Sequence, residues 1–287
     1  MIRHRPEGDK SKPVRPSAAA RAAALTRAQS PAHKTVARPA ALLFPHYFAQ
    51  ANDRRDKRQM AGQMVEFKSN GNAARGYLST PEGGRGPGVV VIQEWWGLVP
   101  HIKDVADRFA RAGFVALAPD LYHGETARSP DEAGKMMMAL DIARAERDLA
   151  GAVSYLLGRD EVEGGRVGTI GFCMGGALSL YAASKNERVG ACVVFYGIHP
   201  KVEPDFDALS APVLGLFAER DSFVTPDSVR ALEARLKEHG KQVETHIYPG
   251  TDHAFFNDTR PDVYDRAAAE DAWRRTVDFF REHLAQG

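Results

Sequence analysis

The chain has 287 residues, 44% of them hydrophobic and 26% charged, a composition typical of a soluble globular protein. Its only two cysteines, Cys173 and Cys192, exclude a disulfide framework and a cysteine-rich zinc site. No apolar run approaches the roughly 18 residues that a membrane span needs, and no secretory signal with a continuous apolar centre is found. We therefore expect a cytoplasmic protein without a membrane partner.

Basic residues are concentrated near the N-terminus. Residues 1–58 contain 13 Lys and Arg against 4 Asp and Glu, a net charge of +9, whereas the rest contains 25 against 33, a net charge of −8. The basic segment has neither an apolar period nor interleaved aromatic residues, which argues against a nucleic-acid-binding module. We predict a disordered Ala-, Arg- and Pro-rich tail over residues 1–59 and one domain over residues 60–287.

Three origins are open for this tail: a start codon assigned too far upstream, an Arg- and Ala-rich organelle presequence, or a basic interaction arm. We favour the first. Met60 and Met64 stand just before the first strand-like run, so a shorter product loses no recognisable part of the domain.

From Met64 onward, short apolar runs alternate with segments of helical period, which is typical of a mainly parallel sheet covered by helices on both faces. Two runs with little between them indicate an antiparallel start. The eight predicted strands are residues 64–68, 74–79, 89–92, 115–118, 167–170, 191–195, 213–217 and 243–248. The predicted helices are residues 101–112, 131–157, 175–184, 226–239 and 262–284. The fold class is therefore α/β, with one core.

The segment Gly-Phe-Cys-Met-Gly-Gly, residues 171–176, follows one predicted strand and precedes a helix. Its glycine spacing is that of a nucleophile elbow, in which small residues allow a strained turn to expose the nucleophile. Cys173 occupies the nucleophile position, and a thiol is activated by a modest fall in pKa. A buried structural cysteine is the alternative, and Cys192, within an apolar run, is interpreted as core packing.

A catalytic acid and a base follow Cys173 in the chain order that hydrolases of this architecture require. Asp221 comes directly after one predicted strand and His253 after the last, where catalytic groups gather at the carboxyl ends of parallel strands. Taken alone, Asp221 is better interpreted as a helix-cap or turn aspartate, and for His253 the alternative is a loop histidine with satisfied hydrogen bonds. The three residues in the required order favour the catalytic interpretation. Glu219 is the closer rival for the acid, and Asp252 fits the order poorly because it adjoins His253.

The segment Gln-Glu-Trp-Trp-Gly, residues 93–97, follows the third predicted strand, where such folds supply half of an oxyanion hole. We expect the backbone N–H groups of Trp95 and Met174 to be its two donors. Glu94 is unusual beside a triad, although a turn-capping role is the alternative. Both tryptophans are equally suited to wall an apolar pocket.

These motifs together resemble the dienelactone hydrolase (carboxymethylenebutenolidase) family over about residues 62–285. The resemblance implies an α/β-hydrolase fold, usually monomeric and without metal or organic cofactor, and hydrolysis of a cyclic enol-lactone carboxylate in chloroaromatic degradation. By matching position it makes Cys173 the nucleophile, His253 the base, Asp221 the orienting acid and Glu94 a glutamate that controls the thiol. As substrate-binding residues we select Trp96, Tyr122, Tyr196, Phe255 and Asn257. Tyr122 and Tyr196 each lie just past a predicted strand, and core or surface packing is the alternative for both.

Asn257 departs from the family, which is expected to place a carboxylate-binding arginine there. Because bidentate carboxylate recognition favours arginine, either another cation substitutes or the natural substrate is not dienelactone. The candidate cations are Arg144, Arg147 and Arg260.

The sequence thus predicts a cysteine-dependent hydrolase that cleaves a lactone or small carboxylic ester through a thioester. The alternatives are a non-catalytic protein of the same fold that binds small molecules or a partner, and a redox sensor. The redox reading is the weaker, because no resolving cysteine is evident.

Overall fold

The computed structural model describes residues 62–197 and 199–284. Eight strands form one sheet: β1 Gln63–Ser69, β2 Asn72–Ser79, β3 Gly86–Ile92, β4 Val115–Pro119, β5 Val162–Phe172, β6 Val189–Phe195, β7 Val213–Ala218 and β8 Val243–Tyr248. Their order is β1-β2-β4-β3-β5-β6-β7-β8. β2 runs antiparallel to both of its neighbours, and all other pairs are parallel. All eight predicted strands are present, including the antiparallel start.

The burial of the strands explains their apolar sequences. β4, β6 and β7 are buried along their whole length, as expected for strands covered on both faces. β1 and β2 are partly exposed and are joined by a tight turn in which Asn70 and Gly71 have φ of 44° and 86°. Such an Asn-Gly pair is the usual two-residue hairpin turn.

Six helices flank the sheet: α1 Pro100–Arg111, α2 Pro130–Ala139, α3 Ile142–Leu157, α4 Met174–Lys185, α5 Pro226–Glu238 and α6 Arg266–Leu284. α1 and α6 pack on one face, where Phe109 and Phe280 meet Val89 and Val91 of β3. α3, α4 and α5 pack on the other face, which receives Val90. Successive side chains of β3 therefore enter opposite cores, and the architecture is the three-layer α/β/α arrangement of an α/β-hydrolase.

Two helix boundaries differ from the prediction. The helix expected over residues 131–157 is two helices, because Leu140 adopts ψ 124° and Asp141 then caps α3 by accepting a hydrogen bond from the Arg144 amide over 3.1 Å. The last helix begins at Arg266 rather than at residue 262. Asp265, just before the helix, accepts a hydrogen bond from the Ala268 amide over 2.9 Å. In both cases a local aspartate cap outweighs the apolar periodicity.

The predicted tail of residues 1–59, with its boundary at residue 60, lies outside the described residues. Within residues 62–197 and 199–284, no helix combines the length and apolarity that a membrane crossing requires.

Candidate active site

Cys173 lies in the sharp turn between β5 and α4, with φ 53° and ψ −118°. A positive φ is costly for a residue other than glycine and persists where the surroundings impose it. Here the Cys173 amide donates a hydrogen bond to the Phe195 carbonyl over 3.0 Å. A Cβ on Gly171 would lie 1.8 Å from the Gly175 carbonyl oxygen. The turn therefore closes only because residue 171 has no side chain.

The loop after β3 packs directly on the first turn of α4. A Cβ on Gly175 would lie 2.4 Å from the Gln93 carbonyl oxygen, so the two segments approach at backbone contact. Met174 is the first residue of α4, and its N–H therefore has no partner within the helix. This packing brings the loop that contains Glu94 and Trp95 beside the start of α4.

His253 and Asp221 form a buried pair. His253 Nδ1 donates a hydrogen bond to Asp221 Oδ2 over 2.6 Å, and the Asp221 side chain has no exposed surface. Asp221 Oδ1 accepts hydrogen bonds from the amides of Phe223 and Val224, over 2.8 and 2.9 Å. These backbone donors fix the carboxylate, which in turn orients the imidazole.

The protonated form of His253 is stabilised by its neighbours. Burial alone disfavours the imidazolium, but hydrogen bonds to Asp221 and Cys173 and the charges of both groups outweigh it and raise the pKa of His253 to about 10. Cys173, His253 and Asp221 therefore form one connected set, in which both neighbours of the imidazole favour its protonated form.

Neither rival for the acid reaches His253. Asp252 forms an ion pair with Arg220 over 2.9 Å. Glu219 accepts a hydrogen bond from the Gly250 amide over 2.7 Å. Of the three carboxylates, the structure pairs Asp221 with the imidazole.

Glu94 is buried and faces the loop after β8. Its Oε2 accepts a hydrogen bond from Asn257 Nδ2 over 2.9 Å, across 163 residues of sequence, so its side chain is not a local turn cap. Burial raises the pKa of Glu94, against the opposing influence of the His101 and His253 charges. A buried carboxyl with a neutral partner holds a proton more readily than an exposed one.

The residues selected for substrate contact have different surroundings. Asn257 is buried, and its Oδ1 accepts hydrogen bonds from the amide and hydroxyl of Thr259 over 3.1 and 2.6 Å. Phe255 has no exposed surface and packs against Tyr248 and Tyr196 at ring distances of 5.0 and 5.5 Å. Phe255 is therefore a core residue that a substrate cannot reach, and the expectation that it lines the pocket is not met.

The three remaining aromatic residues selected for substrate contact are Tyr122, Tyr196 and Trp96. The Tyr122 hydroxyl donates to Met174 Sδ over 3.3 Å. The Tyr196 ring is fully buried, 5.0 Å from the His253 ring, and its hydroxyl has no hydrogen-bond partner among the described residues. Trp96 is half-buried and meets Trp95 edge to face at 5.3 Å. Tyr122 therefore contacts the first residue of α4, and Tyr196 packs against the imidazole of His253.

The candidate cations lie in different surroundings, and Arg144 lines a cavity of about 240 Å³ together with Tyr122. Arg144 and Arg147 border a cavity of about 420 Å³ beside the β1–β2 turn, together with Asp148. Arg260 lies close enough to Glu94 to oppose the rise of its pKa, but its guanidinium pairs with Asp262 over 3.0 Å. Within the described part of the chain, no cluster of three His, Cys, Asp or Glu side chains is arranged to hold a metal ion.

Cys192 lies inside the core, as the sequence predicts. It has no exposed surface and lies 3.4 Å from Ser179 Oγ, and burial raises the pKa of its thiol to about 11. A buried thiol held in its protonated form is a poor partner for redox exchange.

Two residues near the site were not anticipated from the sequence. Phe223 is 65% exposed, and its ring lies 5.5 Å from that of His253. His101 is buried below the site, with Nδ1 3.5 Å from Asp258 Oδ1. Neither belongs to a recognisable motif: Phe223 lies in the loop that carries Asp221, and His101 lies in the first turn of α1.

Known proteins resemble the chain over nearly the whole described region. The model of the dienelactone hydrolase family matches residues 74–284. Protein usf of Aquifex pyrophilus is 44% identical over 230 residues, which cover 78% of this chain and 99% of that protein. A "Putative carboxymethylenebutenolidase" of Aquifex aeolicus is 39% identical over the same length and coverage.

A solved structure agrees with this grouping. The crystal structure of a "Putative Dienelactone Hydrolase" from Klebsiella pneumoniae superposes with a TM-score of 0.69 and 29% identity, over 79% of this chain and all of that one. Family model, sequence relatives and fold therefore coincide, and the chain belongs to the dienelactone hydrolase family of carboxylic ester hydrolases.

Proposed function

We propose that this hydrolase uses Cys173 as a nucleophile and cleaves a lactone or small carboxylic ester through a thioester. The observation that carries the proposal is the connected set at the carboxyl ends of β5, β7 and β8. Cys173 occupies the strained elbow and interacts with His253, whose Nδ1 donates to the buried Asp221. Nucleophile, base and orienting acid are the parts that covalent acyl transfer requires.

In the first half-reaction the Cys173 thiolate attacks the ester carbonyl carbon and forms a tetrahedral oxyanion. The amides of Trp95 and Met174 donate hydrogen bonds to that oxygen, and the start of α4 adds the favourable field of a helix N-terminus. The intermediate collapses as the carbon to alkoxy-oxygen bond breaks. His253 donates its proton to the departing alkoxide, which leaves the acyl group on sulfur.

In the second half-reaction His253, now neutral, takes a proton from water while the water oxygen attacks the thioester. The second oxyanion uses the same two amides. Its collapse breaks the carbon to sulfur bond and releases the acid, which regenerates the thiolate and the imidazolium. Asp221 keeps Nδ1 as the donor to its carboxylate, so that Nε2 is the atom that exchanges the proton.

Glu94 fits a role in controlling the sulfur. Its carboxyl is buried in the loop that packs on the elbow, and burial favours its protonated form. A glutamate that changes its contacts when substrate enters would restrict thiolate reactivity to the occupied site. Such restriction protects the cysteine, because an accessible thiolate oxidises readily.

Membership of the family only partly identifies the acyl group that the enzyme cleaves. A probable lactonase of Bradyrhizobium, named for 2-oxo-3-(5-oxofuran-2-ylidene)propanoate, is 33% identical over 239 residues. A lactone ring is therefore the first substrate class to test. The place in chloroaromatic degradation that the family resemblance implies holds for this chain if dienelactone itself is cleaved.

The test is a panel of lactones and aryl esters assayed with the full chain and with Cys173→Ala. We expect the variant to lose at least about 1,000-fold in kcat, the scale of removing a catalytic nucleophile. Cys192→Ala is the matched control and should retain wild-type turnover, since Cys192 is a core residue. Mass spectrometry of quenched reactions should locate the acyl group on Cys173.

Two outcomes would contradict the proposal. Unchanged turnover in Cys173→Ala would falsify the nucleophile assignment. A wild-type protein that turns over no member of the panel, yet binds some of them in calorimetry, would favour the non-catalytic alternative.

A further inference from the structure

Phe223 occupies an unusual position for a large apolar side chain. It lies in the loop between β7 and α5 and is 65% exposed. Only two other large hydrophobic residues in the described part of the chain are classed as exposed, Met64 and Met138. Phe223 is the most exposed of the three, and its ring meets that of His253 edge to face at 5.5 Å.

The backbone that carries the Phe223 ring is held in place by hydrogen bonds. The Phe223 amide donates to Asp221 Oδ1 over 2.8 Å, and the next residue, Val224, is buried and donates to the same oxygen over 2.9 Å. The carboxylate that orients His253 therefore also anchors the backbone that presents Phe223. An exposed apolar group costs free energy that a bound apolar group recovers.

The charges around the site do not favour an anionic substrate. Two arginines lie in the loops that carry the triad, and each forms an ion pair: Arg220 with Asp252 over 2.9 Å and Arg260 with Asp262 over 3.0 Å. A carboxylate on the substrate would share either guanidinium with an aspartate, whose negative charge weakens the attraction.

The position where the family places its arginine offers no charge either. Asn257 is neutral, and its side chain is committed to Glu94 and Thr259. The Asn257 amide therefore adds no positive charge with which a substrate carboxylate could pair.

We propose that Phe223 is a specificity-determining residue at the rim of the site, where it selects an uncharged ester or lactone whose acyl or alcohol part is apolar. This inference rests on the proposed acyl-transfer function and names its substrate class. Phe223 contacts the substrate through its exposed face while its edge stays on the imidazole. The apolar contact is equally strong in the enzyme–substrate complex and in the transition state. It therefore acts mainly on substrate binding and hence on KM.

A matched pair of esters tests whether the enzyme prefers an uncharged substrate to an anionic one. The p-nitrophenyl ester of hexanoic acid and the mono-p-nitrophenyl ester of adipic acid have acyl chains of equal length that end in a methyl group and a carboxylate. With the full chain we expect kcat/KM to favour the hexanoate ester by at least about 10-fold, the order of one mismatched pocket group. Equal values, or a preference for the adipate ester, would overturn the uncharged substrate class.

Variants of Phe223 test whether its ring selects substrates with a larger apolar part. Two series are measured, one with growing acyl chains and one with growing alcohol parts, for wild type, Phe223→Ala, Phe223→Leu and the control Met64→Ala. In Phe223→Ala we expect the loss in kcat/KM to grow along at least one series to about 10-fold, through KM rather than kcat. Phe223→Leu should recover most of the loss, and Met64→Ala, an exposed apolar residue of β1, should match wild type.

The outcomes separate this inference from the proposed function. If Cys173→Ala is inactive while Phe223→Ala loses nothing, or loses the same factor for every ester, the selective role of Phe223 is wrong and the acyl-transfer function stands. A uniform fall in kcat would instead show that the ring only positions His253. If wild-type turnover does not depend on Cys173, the proposed function fails before the question of selectivity arises.

Discussion

Asn257 donates a hydrogen bond from Nδ2 to Glu94 Oε2 over 2.9 Å, and both side chains are buried. The bond joins the loop after β8, which carries His253, to the loop after β3, which carries Trp95. A neutral amide rather than a guanidinium therefore holds the buried carboxyl. The two loops on either side of the nucleophile are connected through a contact that tolerates a protonated Glu94.

Because the Asn257 to Glu94 contact is buried, its loss should weaken the fold. We expect Asn257→Ala to lower the free energy of unfolding by about 2 kcal/mol, since it leaves the buried carboxyl of Glu94 without its partner. A double-mutant cycle with Glu94→Ala isolates the pair, and urea unfolding should give a coupling energy of about 1 kcal/mol. Strict additivity of the two single changes would show that the contact contributes nothing.

The same carboxyl is expected to influence the sulfur. Alkylation of Cys173 by iodoacetamide, measured in a Cys192→Ala background, reports the reactivity of the one remaining thiol. If Glu94→Gln leaves both the alkylation rate and ester turnover at wild-type values, Glu94 does not control the nucleophile.

Close backbone packing at Gly175 leads to a second prediction. A methyl group there would lie 2.4 and 2.5 Å from the carbonyl oxygens of Gln93 and Ile92, neither of which can rotate away. We expect Gly175→Ala to cost about 2 kcal/mol in unfolding free energy, as overpacking of a core does. Turnover should fall as well, because the loop with the Trp95 amide must move away from α4.

Gly165→Ala is the matched control for Gly175. It adds the same methyl group to the same strand and helix unit, at a position with no atom within 4 Å. Its stability and turnover should equal those of wild type. Equal stability and turnover of Gly175→Ala and Gly165→Ala would mean that the contact between α4 and the loop after β3 is not tight.

The strands were predictable because each buried run is short, apolar and bounded by turn residues, as β6 and β7 illustrate. The elbow was predictable because steric exclusion forces glycine at residue 171. The break near Leu140 was not, since a single ψ angle and an aspartate cap decide it against a continuous helical pattern. A helix break that depends on a single residue is easily missed when the apolar residues around it keep a helical period.

Contacts between side chains of different loops could not be predicted from the sequence. Asp221 and Glu219 are two residues apart and chemically alike, and only the path of the chain decides which one meets His253. Phe223 likewise has no motif, although it lies two positions after Asp221. Arg144 was a reasonable cation by composition, and α3 carries it to two cavities, one beside the β1–β2 turn and one that Tyr122 lines.

The pairing of Asp221 with His253 gives the last prediction. The carboxylate stabilises the imidazolium, so replacing it with a neutral amide must lower the pKa of His253 from about 10 toward the ordinary value of a histidine. Asp221→Asn should therefore titrate at lower pH than wild type in NMR spectra of the His253 Cε1–H. Because the amide also mispositions the imidazole tautomer, we expect kcat to fall by about 1,000-fold or more.

Asp252→Asn and Glu219→Gln are the controls, because these carboxylates lie in the same loops but bind Arg220 and the Gly250 amide instead. Both should keep the wild-type titration of His253 and most of the turnover. A fall in the pKa of His253 in either control, with no change in Asp221→Asn, would move the role of the orienting acid to that residue. Equal small effects in all three variants would mean that no single carboxylate sets the charge of His253.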